Sequence, residues 1–450
     1  MDRRIKSAIV SLLILLLPSV ALLAQDALFS GYFTERYQYR YRLNPAIQNN
    51  EGFLAPPVLG GLYADVRSNA DLSTFLYLKS NGEFTSFLSP SVNREEFLSG
   101  INGAARLSHS SDVTILAFGI KKDRTYHTFE ITTNTASSGY IPEEILNFLK
   151  EPCGDLSSGL HGTITGTAIT AYGYSHKVND RFSIGARTKF ILGLSDYSIH
   201  VYDISFYPKD NNLWKTETDG EASAAGLMQL TKSDNKLSVN ILGFNKYEPS
   251  YGGALDLGFV YRISDWLTVS GSMTDLGLIN WKNVTTSSSS GSGFYEKNND
   301  FDETSNAKEQ ISDIIDALEQ GIDFGAVSQH SSRSSMLSPT VHLGCQFSIP
   351  DINSLSFGLL DSYRTDRQCS WNEIRLSTNF SPATWFSMSA NVAESPFGIS
   401  TGALFYFHGK ELNLFMGTDD FMNFPTIRKE GIPIRRLSGN ISIGIIYSGK

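Results

Sequence analysis

The sequence predicts an all-β fold, a transmembrane antiparallel β-barrel of about 14 strands with a short N-terminal segment folded into it and small helices in its loops. Three observations carry this. Segments of ten or more residues alternate apolar with polar or small side chains, as in Leu255, Leu257, Phe259, Tyr261 and Ile263 against Asp256, Gly258, Val260 and Arg262. The polar faces carry mid-strand charges (Arg187, Lys189, Arg262, Glu373, Arg375), which a water-filled or polar lumen accepts. Aromatic residues recur near strand ends (Tyr261, Trp266, Trp281, Trp385, Phe407, Tyr447), where an interfacial girdle would sit.

Composition agrees. With 41% hydrophobic residues, 28 Phe, 20 Tyr and 5 Trp in 450 residues, and a mean hydropathy of −0.15, the chain does not read as a helical membrane protein. Strands whose every second residue faces a lumen give this balance. The net charge of −9 and the lack of a basic stripe exclude nucleic acid as a partner. Cys153, Cys345 and Cys369 are too few and scattered for a disulfide scaffold or a zinc site, and Cys345 falls on the apolar side of its strand.

Residues 1–24 read as a signal peptide: Arg3, Arg4 and Lys6 precede an apolar core from Ala8 to Leu17, and Ala24 is the expected cleavage position. Residues 25–55 are aromatic and irregular and read as a non-strand segment folded into or under the main body. The barrel then occupies 56–450. Alternation resumes after Pro57, and candidate strands follow at 72–78, 112–120, 126–135, 162–176, from Phe182, and at 237–244. Short helices are expected at 90–101 and 142–150.

The segment from Ala254 to Trp281 forms a hairpin turning at Ser264-Asp265, its apolar residues, including Leu267 and Val269, facing lipid. Residues 283–336 form the longest loop, with a Ser/Gly-rich piece, an acidic piece, and an amphipathic helix over 304–324 in which Ile311, Ile314, Ile315, Leu318 and Ile322 share a face. From Ser338 onward alternation is most regular, and the final strand ends on Tyr447, as closure against the first strand requires.

No Gly-x-Ser-x-Gly, His-Glu-x-x-His, phosphate loop or paired-cysteine motif occurs, so no catalytic residue, metal site or cofactor is expected. His161, His176, His200, His342 and His408 read as structural or lumen-lining, and the acidic run 298–303 as a solvated loop.

The blocks DLGFVYRISDWLTVSGSMTDLGLINW, RFSIGARTKFILGL (181–194), LSPTVHLGCQFSI (337–349) and GALFYFHGKELNLFMGTDDF (402–421) resemble those of an uncharacterised family of gram-negative outer-membrane proteins. That family is similar to the long-chain fatty-acid transporter superfamily and to the outer-membrane barrel of type IX secretion. The most specific pieces are Asp275-Leu276-Gly277 with Trp281, and Asp419-Asp420. The transporters carry Asn-Pro-Ala in an N-terminal hatch, and Asn44-Pro45-Ala46 matches it, although Asn44-Pro45 also suits a simple turn. The resemblance implies the outer membrane, with lipid around the barrel and a small hydrophobic ligand bound or transported. The alternative is a non-transporting barrel that docks secreted proteins or a secretion machine through its loops. A secreted soluble β-protein is the third reading.

Overall fold

The structure, a computed structural model, describes residues 28–449 apart from 80, 81, 83, 102, 211, 234, 235, 297–309, 311–321, 323, 351, 367–369 and 424–437. The expected signal peptide, the acidic run at 298–303 and almost all of the 304–324 helix lie outside the described residues.

The wall opens with a strand in two pieces, β1 (Gly52–Ala55) and β2 (Leu62–Ser68). A small hairpin of β3 (Leu76–Leu78) and β4 (Phe84–Ser86) stands apart from it. Next come β5 (Ala104–Lys122), β6 (Thr125–Pro142), β7 (Leu156–Lys177) and β8 (Phe182–Asp210), with β9 (Leu213–Gly226) and a second hairpin, β10 (Met228–Ser233) and β11 (Lys236–Ile241). The hairpin expected at 254–281 is longer on both arms, as β12 (Ser250–Arg262) and β13 (Leu267–Ser289). It is followed by β14 (Ser292–Glu296), β15 (Ser328–Met336), β16 (Thr340–Ile349), β17 (Ile352–Arg364) and β18 (Trp371–Ala383). The last four are β19 (Phe386–Ser395), β20 (Gly398–His408), β21 (Leu412–Thr418) and β22 (Gly439–Gly449).

Counting β1 and β2 as one position, the ring runs β5-β6-β7-β8-β12-β13-β16 and on through β22, a closed antiparallel barrel of 14 strands. Closure is made by β22, which pairs with β21 (Leu412 opposite Tyr447) and with the first strand (Gly52 opposite Gly449, Leu62 opposite Ile443). Pairing all round leaves no open edge, which a hydrocarbon environment demands.

The side chains show which solvent the wall faces. Along β18, Ile374, Leu376 and Phe380 are 50%, 56% and 37% exposed, whereas the intervening Glu373 and Arg375 are 3% and 2% exposed. Apolar residues outside and charges inside invert the order of a water-soluble sheet. On β12 and β13 the outward Leu257, Phe259, Tyr261 and Met273 are likewise exposed, and Cys345 shares this face, paired opposite Val269. No described helix is long and apolar enough to cross a membrane. At the short-turn end Trp266 stacks on Phe347, while Trp385 packs tilted against Phe386 and Phe386 against Phe407, and these aromatics form the girdle.

Four local expectations are corrected. Residues 72–78 are not one strand: Leu72–Phe75 is a helical turn, and only Leu76–Leu78 is extended. The wall begins at Gly52, inside the 25–55 segment, and is then interrupted at 56–61, where Pro56 and Pro57 lack the N–H groups a ladder needs and Val58 takes φ 64°. Residues 283–336 are not one long loop, since β13 runs on to Ser289 and β14 and β15 lie within the rest. Trp281 is not in the girdle; it is fully buried inside the wall.

The long-loop end carries a folded layer of its own. Helices at Arg94–Ser99, capped by the Asn93 side chain, and at Glu143–Lys150 were both expected. With the β3-β4 hairpin they build an apolar cluster that includes Phe75, Phe87, Phe97, Phe148, Phe206 and Trp214.

Candidate functional site

Residues 28–51 lie inside the barrel. They form two 3₁₀ turns, Phe29–Gly31 and Gln38–Arg42, and pair with no strand of the wall among the described residues. The run Tyr37-Gln38-Tyr39-Arg40-Tyr41-Arg42 alternates like a strand, yet every one of its side chains is buried. A segment enclosed on all sides needs no polar face. Burial pushes the Tyr37, Tyr39 and Tyr41 hydroxyls above their ordinary range and pulls Arg40 down to about 10.

Asn44-Pro45-Ala46 sits in a niche between β8 and β12. Asn44 Nδ2 donates to the carbonyls of Phe259 (3.1 Å) and Gly271 (3.3 Å) and to Tyr32 Oη (3.2 Å), while Asn44 Oδ1 accepts from Ala46 N at 3.0 Å. Gly258 and Gly185, directly opposite each other on the two strands, leave the room: a Cβ on Gly258 would stand 2.1 Å from Asn44 Oδ1, and one on Gly185 2.2 Å from the Pro45 carbonyl oxygen. The motif is thus both a tight turn and a contact between the inner segment and the wall.

Arg42 fixes the segment to a buried chain of charges. Its guanidinium meets Asp112 at 3.1 Å and Glu130 at 3.0 Å and donates to Thr114 Oγ1 at 2.9 Å. Tyr41 Oη adds a hydrogen bond to Glu130 at 2.7 Å. The chain continues through Arg187, paired with Glu130 and with Asp256 (2.9 Å), to Lys189, which bridges Asp256 (2.9 Å) and Asp275 (2.6 Å). Burial opposes the charge on Arg42, but the Asp112 carboxylate and neighbouring tyrosines hold it protonated beyond its ordinary value. The wall supplies four carboxylates here against two cations, and Arg42 from the segment brings the third.

Asp275 does not end a strand. It is a bulge residue at φ 62°, opposite the register shift between Leu255 and Leu257, and the bulge turns its carboxylate inward to Lys189. Leu276 then faces outward, and Gly277 permits close approach, since a Cβ there would stand 2.1 Å from the Gly253 carbonyl oxygen. Trp281, brought inward beyond the bulge, covers Gly193 and donates from its indole to Ser335 Oγ at 2.8 Å. Trp281→Ala should cost about 3–5 kcal/mol through the cavity it leaves, seen as a lower temperature for loss of heat-resistant electrophoretic mobility.

Asp419 and Asp420, adjacent in sequence, do different things. Asp419 is buried and accepts from Phe29 N (3.0 Å), Ser30 N (2.7 Å) and the Ser30 hydroxyl, with Arg375 3.5 Å away, so it anchors the start of the inner segment. Asp420 accepts from Asn423 in a local turn, and burial raises its carboxyl above the ordinary value. A second chain of charges, Asp65-Arg67-Glu373-Arg375, leads to Asp419.

Sequence reasoning missed Arg42, Asp112, Glu130 and Asp256 as site residues. Their signal was charge at inward positions of alternating segments, the same signal that flagged Arg187 and Lys189. His342, read as structural, is buried beside Ser362 at 2.9 Å and packs near Phe29. No group of His, Cys, Asp and Glu able to hold a metal occurs among the described residues.

Solved structures with a similar course of chain include the toluene transporter TodX of Pseudomonas putida (11% identity, 96% of this chain and 99% of that one, TM-score 0.43). Others are the toluene transporter TbuX of Ralstonia pickettii (8%, 95% and 96%, TM-score 0.42) and a FadL homologue of Pseudomonas aeruginosa (13%, 95% and 98%, TM-score 0.41). No curated protein matches the sequence. The model of a family of unknown function, DUF5723, matches residues 45–419, and the chain belongs to that family.

Proposed function

We propose that this protein is an outer-membrane barrel of a gram-negative bacterium that admits a small hydrophobic molecule, and that residues 28–51 are its movable hatch. The observation that carries the reading is how the inner segment is held. It contributes no strand to the wall and is fastened by ion pairs and side-chain hydrogen bonds at Asp419, Asn44 and Arg42, contacts that can break without unravelling the barrel. The cleft beside it, lined by Tyr41, Pro45, Tyr126, Thr128, Tyr174 and Arg187, is too narrow to admit even a water-sized molecule, so passage requires the segment to shift. Movement would uncover Tyr406, Phe415 and Phe53, whose rings now pack against Tyr37, Tyr39 and Tyr41 at 5.3–6.4 Å, an aromatic surface suited to an apolar solute.

Deleting residues 28–50 should leave a barrel that inserts into liposomes and raise the flux of small hydrophobic solutes above that of the full chain. Unchanged flux for aromatic and aliphatic solutes alike would remove the hatch reading.

The docking alternative draws on one feature, the folded layer at the long-loop end with its own apolar cluster. Removing residues 297–327 should abolish capture of a secreted partner if that reading holds, and leave solute flux unchanged.

A further inference from the structure

We infer that the segment 241–247, on the outside of the barrel, is an interfacial anchor that inserts Ile241 and Phe244 into the acyl region of the loop-side lipid leaflet. The chain leaves the wall where β9 ends at Gly226 and returns at Ser250, where β12 begins. Alternation shows on which side it travels. Ala225 packs inward with Trp281, whereas Ala222 and Ala224 face the other way and pack in the cluster that holds Leu230 and Leu237 of the β10-β11 hairpin. The excursion therefore lies on the outer face.

Its apolar residues divide accordingly. Leu230 and Leu237 are buried against the wall, but Ile241 is 72% and Phe244 78% exposed, among the most exposed large apolar residues described. Water is a poor solvent for two such side chains in one short turn. The turn is also held at a definite height. Lys246 N donates to the Gly243 carbonyl at 2.9 Å, Tyr247 N to the Phe244 carbonyl at 3.3 Å, and Tyr247 Oη to the Gly193 carbonyl at 2.6 Å. Gly193 is the partner of Ser250, whose hydroxyl accepts from Lys282 N at 2.9 Å.

That height is where the lipid belt ends. Outward positions on β13 run Leu276, Leu278, then Asn280 and Lys282, and beside them Phe190 and Tyr251, both more than half exposed, pack ring to ring at 5.7 Å. The exposed turn is continuous with this upper edge of the belt. Lys246, exposed two residues after Phe244, supplies the cation that an interfacial anchor of this kind offers to the headgroups.

The test uses the full chain with Cys153, Cys345 and Cys369 replaced, reconstituted in phosphatidylcholine–phosphatidylglycerol vesicles. A nitroxide is placed in turn at Phe244→Cys, Ile241→Cys, Tyr251→Cys as belt reference and Lys215→Cys as water reference, and its accessibility to oxygen and to a water-soluble nickel chelate is measured. Labels at 244 and 241 should favour oxygen over nickel, as at 251. Nickel access equal to that at 215 would overturn the proposal, and so would shielding from both reagents, which would mean a protein contact such as a second copy. The proposal rests on a membrane-spanning barrel, and the label at 251 tests that separately.

Discussion

Replacing Arg42 by methionine should loosen the inner segment more than any other single change within it. The substitution keeps most of the side-chain volume and removes the charge, leaving Asp112 and Glu130 buried beside Thr114 with Arg187 as the nearest cation. Removing one partner of a buried ion pair typically costs about 3–5 kcal/mol, because the remaining charge stays desolvated. The barrel has its own wall pairing to hold it together, so the cost falls on the segment. In detergent, a protease cutting after Arg36 or Arg40 should then cleave the variant far faster than the parent, with the wall still intact. Adding Asp112→Asn to Arg42→Met should recover part of the protection, since it removes the stranded carboxylate. Equal cleavage of parent and single variant would show that Arg42 does not hold the segment.

The barrel itself was legible because its solvent is. A strand between lipid and a polar lumen must alternate, and β18 does so without a break from Trp371 to Phe380. What remained hidden were the places where alternation changes phase. The bulge at Asp275, at positive φ, moves Trp281 from the outward side to the interior, and no two-residue period announces that. The first strand was misread for a related reason: Pro56 and Pro57 sit inside an otherwise regular run. The Tyr37–Arg42 run misleads in the opposite sense, alternating without being a strand, because the surrounding wall buries both of its faces. Asn44-Pro45-Ala46 was visible as a motif, but its contacts to Phe259 and Gly271, more than two hundred residues away, depend on barrel closure.

Gly258→Val should open the lumen without touching any charged residue. Gly258 faces inward on β12, and a Cβ there would stand 2.1 Å from Asn44 Oδ1, 3.0 Å from Asn44 Cγ and 3.1 Å from Pro45 Cδ. Two outcomes compete: the strand could bow outward, or the segment could move. The strand is pinned by ladder pairing to β8 on one side and β13 on the other, whereas Asn44 is held by three side-chain hydrogen bonds of 3.1–3.3 Å. Valine also favours extended backbone, so the wall loses nothing locally. Overpacking of this kind costs about 1–3 kcal/mol, comparable to the net worth of those hydrogen bonds at roughly 0.5–1.5 kcal/mol each, so the motif should leave its niche. The expected result is a barrel with parental heat resistance, faster proteolysis within residues 28–51 and a higher flux of hydrophobic solutes. Gly253→Val is the matched control on the same strand, because a Cβ at Gly253 meets only the Lys189 carbonyl oxygen, at 3.6 Å. If both variants behave like the parent, the niche between β8 and β12 does not govern passage; if both leak, the strand rather than the motif has yielded.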